Sequence, residues 1–257
     1  MSIHQTAIIH PKAQLDSSVL VGPYSIIGEQ VRIGARTKVG SHVVIDGITQ
    51  IGEDCDLSPF CSIGLPPQDL KYKGEPTRVI VGNKNIFREY VTIHRGTPTG
   101  RSETVIGDHN YFMAYSHVAH DCLIGNRVIM ANAAALGGHI TIGDYAVLGG
   151  LVAVHQFVRI GGYAMIGGGA IVVQDVPPYL IASGNRAKLY GLNLVGLKRQ
   201  GFSNEEIEAL KKTYKLVFHA HRPFKEAVKE SRTAWGHLPR VELFLSFIEN
   251  SKRGICR

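Results

Sequence analysis

Apolar residues recur along the chain at every sixth position, in two long runs. Ten such residues form the first run and twelve form the second, without a break in phase. A helix needs an apolar period near 3.6 and a strand a period of 2, so a period of 6 fits neither alone. It predicts short strands joined by tight turns, the hexapeptide pattern of a parallel β-helix. The two runs are Ile9, Leu15, Val21, Ile27, Ile33, Val39, Ile45, Ile51, Leu57 and Ile63, and then Ile106, Phe112, Val118, Ile124, Met130, Leu136, Ile142, Leu148, Val154, Ile160, Ile166 and Val172.

Small residues occupy two further places in the hexads. Glycine or alanine usually follows the apolar residue directly, as at Gly125 and Gly137, and another modest residue comes four positions after it. Cys55, Cys61 and Cys122 all stand at this last, inward place. We interpret them as buried space-fillers and not as disulfides or metal ligands.

Two polar segments interrupt the hexads, one near residues 65–78 and one near 95–104. An insertion in a solenoid must leave through a corner, because a strand face cannot absorb extra residues without losing register. Inserts in repeat proteins lie on one rim and often carry binding groups. The charged residues of the first insert therefore favour a functional role over a tolerated surface loop.

The hexad pattern stops at the double proline Pro177-Pro178, and helical periodicity follows. We therefore divide the chain into a parallel β-helix domain, residues 1–178, and a C-terminal α-helical domain, residues 179–257. The helical domain is expected to pack on the end of the solenoid, on a neighbouring subunit, or on both. Ser203 and Glu206 form a capping box, and helices are predicted from that point and over 192–199, 223–235 and 239–249.

Composition and charge narrow the functional classes. The 257 residues include 29 glycines and only 8% aromatics, which suits a narrow coil with little room inside. The formal charge of +7 favours acidic partners, but no basic run is interleaved with aromatics, so nucleic acid ranks low. No apolar stretch is long enough to span a membrane and no signal peptide is predicted. A cytoplasmic protein without membrane insertion is expected.

Three successive coils each place a histidine on one edge of the predicted prism. Three hexads make one coil of 18 residues, so residues 18 apart stack one layer, about 4.8 Å, above each other. His120, His139 and His155 all fall at turn positions in stacked hexads, and His117 and Asp121 flank the first of them. Four histidines and an aspartate thus gather along one edge.

This edge offers the groups needed for acid–base chemistry. A neutral imidazole is the usual general base near neutral pH, and an adjacent carboxylate can fix its tautomer, as Asp121 would for His120. The pair Gly137-Gly138 before His139 leaves a backbone N–H accessible, which is suited to stabilising an oxyanion. No serine or cysteine is placed as a nucleophile beside His120, which favours direct transfer to an acceptor hydroxyl.

Two other hypotheses remain open from the residues alone. The same histidines suit Zn²⁺, so a metal-dependent β-helix enzyme of the gamma carbonic anhydrase kind is the second candidate. A non-enzymatic solenoid used for binding is the third, although it needs neither charged inserts nor a helical tail.

Six strings spread over both inserts, the histidine edge and the tail carry a specific resemblance that spans essentially the whole chain. Together they resemble the acyl-carrier-protein–UDP-N-acetylglucosamine O-acyltransferases, which make the first committed acylated sugar of lipid A. The strings are Gln68-Asp69-Leu70-Lys71-Tyr72, Gly74-Glu75-Pro76-Thr77-Arg78, Thr92-Ile93-His94-Arg95-Gly96, Ala119-His120-Asp121-Cys122, Ala153-Val154-His155-Gln156-Phe157 and Gly196-Leu197-Lys198-Arg199.

The resemblance implies a left-handed coil, against the usual right-handed crossover, and a homotrimer with active sites between subunits. It implies transfer of an (R)-3-hydroxyacyl chain from acyl carrier protein to the glucosamine 3-position of UDP-N-acetylglucosamine, the first step of lipid A biosynthesis, with no cofactor and no metal. The acyl length, and a 3-hydroxyl against a 3-amino acceptor, are left open.

The resemblance also assigns roles to residues that match its motifs. His120 is implied to be the general base, oriented by Asp121, and the Gly138 N–H to be the oxyanion site. Gly168 is implied to form the floor of the acyl-chain site, where a glycine leaves room for a longer chain. The sugar nucleotide or the acyl donor is implied to contact Asp69, Lys71, His117, His139, His155, Gln156, Asn193 and Arg199.

Two positions depart from the family's pattern. Val195 stands where the family often has Glu, and Gln200 stands where it often has a second Arg after Arg199. Both lie near the implied nucleotide contacts, so the contacts to uridine and diphosphate are expected to differ in detail from those of the family. Neither residue is assigned as a ligand.

Overall fold

The computed structural model describes residues 2–220 and 222–257, and Met1 and His221 lie outside the described residues. Within those ranges the chain forms short strands followed by helices. The strands are β1 (Ser2–Ile3), β2 (Ile8–Ile9), β3 (Gln14–Leu15), β4 (Leu20–Val21), β5 (Ile26–Ile27), β6 (Val31–Ile33), β7 (Lys38–Val39), β8 (Val44–Ile45), β9 (Ile48–Ile51), β10 (Asp56–Leu57), β11 (Ser62–Leu65), β12 (Arg78–Val81), β13 (Ile86–Phe87), β14 (Thr92–His94), β15 (Glu103–Ile106), β16 (Tyr111–Phe112), β17 (His117–Val118), β18 (Leu123–Ile124), β19 (Ile129–Met130), β20 (Ala135–Leu136), β21 (Thr141–Ile142), β22 (Val147–Leu148), β23 (Ala153–Val154), β24 (Arg159–Ile160), β25 (Met165–Ile166), β26 (Ile171–Val172), β27 (Leu180–Ser183) and β28 (Lys188–Leu192). The helices are α1 (Leu194–Arg199), α2 (Asn204–His219), α3 (Phe224–Trp235) and α4 (Pro239–Glu249).

Three parallel sheets form the sides of a prism, and consecutive strands of the coil move from one sheet to the next. Residues 18 apart pair between neighbouring coils, as Val118 does with Leu136 and Leu136 with Val154. The predicted hexapeptide coil is therefore confirmed. Sheet A contains β1, β4, β7, β10, β13, β16, β19, β22, β25, β27 and β28, sheet B contains β2, β5, β8, β11, β14, β17, β20, β23 and β26, and sheet C contains β3, β6, β9, β12, β15, β18, β21 and β24.

The core is a column of apolar, mostly aliphatic side chains on the prism axis. From β4 to β26 the last, or next-to-last, apolar residue of each strand points inward and is buried, and Phe87 stacks on Phe112 at 5.0 Å within this column. The smaller inward residue fills the space beside it, and the predicted burial of Cys55, Cys61 and Cys122 as free thiols is confirmed. A prism this narrow excludes catalytic side chains from its interior and leaves them its edges.

Tight corners join the sheets, and they hold side chains in columns. The fourth residue of most hexads has a positive φ, for example Asp121 at 60°, His139 at 61° and Phe157 at 66°. Residues other than glycine seldom adopt this conformation, so the turn imposes it. Because coils stack in register, side chains at successive corners stand directly above one another.

We name each edge by the sheets it joins and by its turn residues. The AB edge contains Tyr24, His42, Phe60, Tyr90, Tyr115, Ala133, Leu151 and Gly169. The BC edge contains Asp121, His139, Phe157 and Asp175, and the CA edge contains Arg36, Asp54, Lys84, His109, Arg127, Tyr145, Tyr163 and Tyr179.

Both inserts leave the prism through the BC edge. The first connects β11 in sheet B to β12 in sheet C, and the second connects β14 in sheet B to β15 in sheet C. This placement confirms that insertions exit at a corner. It also puts both inserts on the same edge as the histidines that follow β17, β20 and β23.

The C-terminal segment begins with a hairpin that the sequence did not predict. Strand β27 extends sheet A by pairing with β25, and β28 returns antiparallel to it. Val176, just before the two prolines, forms a parallel bridge with Ile160, and β27 begins just after them. Parallel pairing is therefore present on both sides of the prolines. The division at 178/179 stays a prediction.

The predicted helices are present, and they pack on the last coil. Ser203 and Glu206 form the reciprocal capping box at the start of α2. The Arg159 guanidinium of β24 donates to the carbonyls of Phe247 and Asn250 at the end of α4. Of the alternatives considered, packing on the solenoid's end is therefore observed. In the described ranges no helix is long and apolar enough to cross a bilayer.

Candidate active site

A histidine–aspartate pair occupies the BC edge where the coil leaves β17. His120 Nδ1 lies 2.8 Å from Asp121 Oδ2. An ionised carboxylate can only accept, so Nδ1 carries the proton and Nε2 keeps its lone pair. The His120 side chain retains 15% of its accessible surface, whereas that of Asp121 retains none. The pair therefore presents a basic nitrogen to solvent, backed by a buried carboxylate.

The second insert folds over Asp121 and supplies the rest of its hydrogen bonds. The Thr97 hydroxyl donates to Oδ2 at 2.6 Å, and the Thr97 and Arg101 N–H groups donate at 3.1 and 2.7 Å. A Cβ on Gly100 would lie 2.4 Å from the carboxylate. This glycine lets the insert's backbone approach so closely. Thr104 Oγ1 accepts from the Asp121 N–H at 2.9 Å.

These contacts keep Asp121 ionised. Burial alone raises the pKa of a carboxyl group by disfavouring its charge. The hydrogen bonds from His120, Thr97 and Arg101 outweigh burial and lower the pKa of Asp121 to about 2. The carboxylate is therefore negative at neutral pH, where it can stabilise an imidazolium on His120.

The neighbouring histidines stay neutral around this pair. Burial lowers the pKa of His139, with Asp121 opposing the effect, and the His139 ring stands perpendicular to that of His120 at 5.0 Å. Burial and the nearby His120 also lower the pKa of His117. Burial and the other histidines bring the pKa of His94 to about 4. For these three histidines the lowered pKa favours the neutral ring over the imidazolium.

Gly138 lies directly against the face of His120. A Cβ at this position would stand 2.5 Å from His120 Cε1 and 2.8 Å from Nε2, so only glycine fits. The backbone of Gly138 therefore sits beside the basic nitrogen, where a reacting carbonyl would lie.

Among the described residues the Gly138 N–H has no acceptor, in contrast to several N–H groups at the same place on the CA edge. At the equivalent turn position on that edge, a side chain one coil ahead accepts from the N–H of four residues, as Asp108 does for Asn83 and Asp144 for Asn126. One coil ahead of Gly138 stands Gln156, and within the described residues the Gly138 N–H has no acceptor. The site keeps a donor free that the neighbouring edge uses for structure.

Among the described residues, no side chain at this site is suited to act as a nucleophile. Cys122 follows Asp121 but points inward, donates to the Gly137 carbonyl at 3.2 Å and is fully buried. Burial raises the pKa of its thiol to about 12. The Thr97 hydroxyl is committed to Asp121. The prediction of direct transfer to an acceptor hydroxyl is consistent with this geometry.

Several predicted site residues share the BC edge. His117 lies on β17 beside the pair, with Nδ1 2.7 Å from Thr92 Oγ1. His155 and Gln156 follow β23 one coil beyond Gly137 and Gly138, and both are exposed. Asp69, in the first insert, is close enough for its charge to act on His139, and it caps the Lys71 N–H at 3.0 Å.

Three predicted site residues lie on other edges of the same chain. Gly168 belongs to the corner between β25 and β26, on the AB edge. Asn193 caps α1 and donates to the Tyr163 carbonyl, next to the CA edge, and Arg199 is exposed at the end of that helix. Sheet B or sheet C separates each of them from His120.

Sequence reasoning missed the groups that hold the pair in place. Thr97, Gly100 and Arg101 belong to the second insert, which was identified only as a segment. Phe157 stacks on His139 at a centroid distance of 4.5 Å. The 18-residue spacing of Asp121, His139 and Phe157 was the available signal for that column.

Models of two known families match three parts of the chain. Residues 12–47 and 103–138 match the six-repeat hexapeptide of bacterial transferases, and residues 175–256 match domain 2 of the UDP N-acetylglucosamine O-acyltransferases. The prism with its histidine–aspartate edge is therefore a hexapeptide-repeat transferase.

Relatives along the full length identify the family. The acyl-[acyl-carrier-protein]–UDP-N-acetylglucosamine O-acyltransferase of Thermodesulfovibrio yellowstonii is 59% identical over 255 residues, 99% of each chain. That of Trichlorobacter lovleyi is 60% identical over 260 residues, all of both chains. The LpxA structure of Acinetobacter baumannii superposes with a TM-score of 0.96 at 44% identity, covering 99% of both chains. This chain belongs to the acyl-[acyl-carrier-protein]–UDP-N-acetylglucosamine O-acyltransferase family, and its coil is left-handed.

The metal hypothesis is not supported for this chain. His120, Asp121 and His139 do offer ligand atoms within 4.8 Å of one another. Their family, however, is that of the acyltransferases and not of gamma carbonic anhydrases. Hydrogen bonds from Thr97, Arg101 and His120 already occupy the carboxylate oxygens.

Replacing Asp121 by Asn should make the free energy of unfolding less dependent on pH in the acid range. The pKa of Asp121 lies below the ordinary 3.8, so its contribution is complete above about pH 4 and is lost as pH falls towards 2. A shift of nearly two units corresponds to about 2 kcal/mol. The difference in free energy of unfolding between wild type and Asp121→Asn should shrink by about that amount between pH 5 and pH 2, as measured by chemical denaturation. A difference that stays constant over this pH range would contradict the conclusion that hydrogen bonds keep Asp121 ionised.

Proposed function

We propose that this chain transfers an (R)-3-hydroxyacyl group from acyl carrier protein to the 3-hydroxyl of UDP-N-acetylglucosamine, the first step of lipid A biosynthesis. The observation that carries the proposal is the His120–Asp121 pair set against the open Gly138 N–H. That arrangement supplies a base and an oxyanion donor without a side-chain nucleophile, in a family named for this reaction.

The reaction follows from these three groups. His120 Nε2 takes the proton of the sugar hydroxyl as its oxygen attacks the thioester carbonyl. Asp121 stabilises the imidazolium, and the Gly138 N–H donates to the oxyanion of the tetrahedral intermediate. The intermediate collapses by expelling the carrier's thiolate, which receives the proton from His120.

The complete site is proposed to form between subunits of a homotrimer. Gly168, Asn193 and Arg199 lie on edges that one chain cannot bring to His120. A second copy with its AB edge against the BC edge of the first would place Gly168 near the acyl chain. The outward residues of sheets A and B in this region include exposed Met165 and Ile171, which such contact would cover.

The acidic carrier protein is proposed to dock on the helical domain. Lys211, Lys212 and Lys215 of α2 line a groove of about 880 Å³ together with apolar Leu192 and Leu194. Opposite charge steers association, and apolar contact stabilises the docked state. The overall charge of +7 agrees with two acidic substrates. A cytoplasmic location stays a prediction.

The nucleotide-binding roles of Asp69, Lys71 and Arg199 also stay proposals. All three are at least partly exposed. The cations Lys71 and Arg199 suit the diphosphate, whereas the Asp69 carboxylate suits a sugar hydroxyl as a hydrogen-bond acceptor. Asn193 differs, because its side chain already caps Gly196 and donates to Tyr163. The proposed substrate contact of Asn193 would therefore be made by a side-chain amide whose orientation these two hydrogen bonds already fix.

Replacing His120 by Ala should lower kcat by about 10²- to 10⁴-fold, the usual contribution of a general base. His109→Ala is the matched control, because His109 sits on a turn of the CA edge and makes no proposed substrate contact. Steady-state assay of both folded variants with a hydroxyacyl carrier protein tests the assignment. Near-normal turnover by His120→Ala would remove His120 from the mechanism.

Replacing Gly168 by Met should shift preference to shorter acyl donors. Gly168 is exposed, and a Cβ there meets only the Gly150 backbone, at 3.3 Å, so a larger side chain points away from the prism. Competition between donors of different length, analysed by mass spectrometry, measures the shift. Retained activity with the shortest donor shows that the variant is folded, and an unchanged length profile refutes the floor role.

A further inference from the structure

The C-terminal tail brings an arginine onto the BC edge, one coil beyond His139. The tail is fixed there by a parallel bridge between Ile255 and Asp175 and by a 2.8 Å hydrogen bond from the Ser251 hydroxyl to the Asp175 carboxylate. Arg253 Nε donates to the Val173 carbonyl at 2.9 Å. The guanidinium is therefore held in place beside the turn that carries His155.

His155 has two neighbours that compete for one nitrogen. Arg253 Nη2 lies 2.7 Å from His155 Nδ1, and the Gln156 carbonyl oxygen lies 3.2 Å from the same atom. A guanidinium can only donate and a carbonyl can only accept. The first contact needs Nδ1 without a proton, and the second needs Nδ1 with one, so a neutral ring can make only one of them.

We propose that Arg253 is a positioning residue that sets the tautomer of His155. Its contact is the shorter of the two and is charge-assisted, so it prevails over the carbonyl. Nδ1 then accepts from Arg253, and the proton resides on Nε2. Nε2 is the nitrogen left for a ligand, and in this tautomer it presents an N–H donor.

The inference rests on the proposed function for its consequence, namely that His155 contacts a substrate. A donor next to a guanidinium suits an anionic acceptor, and a phosphate oxygen has that chemistry. Both substrates carry one, in the sugar diphosphate and in the phosphopantetheine arm of the carrier. Without Arg253, Nδ1–H would turn to the Gln156 carbonyl, and Nε2 would present a lone pair that repels the same oxygen.

The tautomer can be measured without any substrate. Histidine-selective ¹⁵N NMR of the full chain distinguishes protonated from unprotonated ring nitrogens, and His155→Gln assigns the signals. Wild type and Arg253→Lys, which keeps a cationic donor, should carry the proton on Nε2. Arg253→Met should carry it on Nδ1. Arg257→Met is the control, since that guanidinium lies over the Phe224 ring and should leave His155 unchanged.

Kinetics of the same variants test the consequence. Arg253→Met should raise one KM by about 10-fold or more, as expected for losing a hydrogen bond to a charged group, with kcat within about threefold and with rescue by Arg253→Lys. A raised KM for UDP-N-acetylglucosamine assigns His155 to the diphosphate, and a raised KM for the carrier protein assigns it to phosphopantetheine.

An unchanged tautomer in Arg253→Met, or two unchanged KM values, overturns the proposal. A wild-type chain that acylates no acceptor would instead overturn the proposed function. The NMR result would then still decide whether Arg253 sets the tautomer, so the two failures are distinguishable.

Discussion

The 18-residue coil is the constraint on which the rest of the structure depends. Each turn of the prism fixes three corners, and stacking in register puts every corner side chain above its counterpart in the previous coil. The axis is filled by aliphatic residues, so chemistry is confined to the edges. On the BC edge this brings together His120, Asp121 and His139, which a globular fold would have to collect from distant loops.

The same turn performs different tasks on different edges. On the CA edge a ladder of Asn and Asp side chains accepts from the turn N–H of four successive coils and so stabilises the stack. On the BC edge Gly138 has no side chain to cap His120, and Gln156 does not cap Gly138. Among the described residues the Gly138 N–H is therefore left without an acceptor, beside the partly exposed imidazole of His120.

The sequence period predicted the features that depend on the register of the coil. It did not predict contacts between segments that are far apart in the sequence. The hexads, the corner exit of both inserts, the histidine edge and the capping box at Ser203 all follow from spacing. The hairpin of β27 and β28 does not follow from spacing, because the double proline Pro177-Pro178 predicts that strand pairing ends there. Contacts from Thr97 to Asp121 and from Arg253 to His155 span 24 and 98 residues through irregular segments, where no period applies.

Direct transfer of the acyl group from the carrier protein to the sugar hydroxyl, with His120 as general base and without a covalent enzyme intermediate, is the central claim. The decisive measurement is mass spectrometry of purified protein incubated with UDP-N-acetylglucosamine and an (R)-3-hydroxyacyl carrier protein. The account predicts a nucleotide sugar that gains one hydroxyacyl group in an alkali-labile ester, while the mass of the protein stays constant throughout turnover. An acylated protein that forms and decays at the turnover rate, or an alkali-stable amide product, would contradict it.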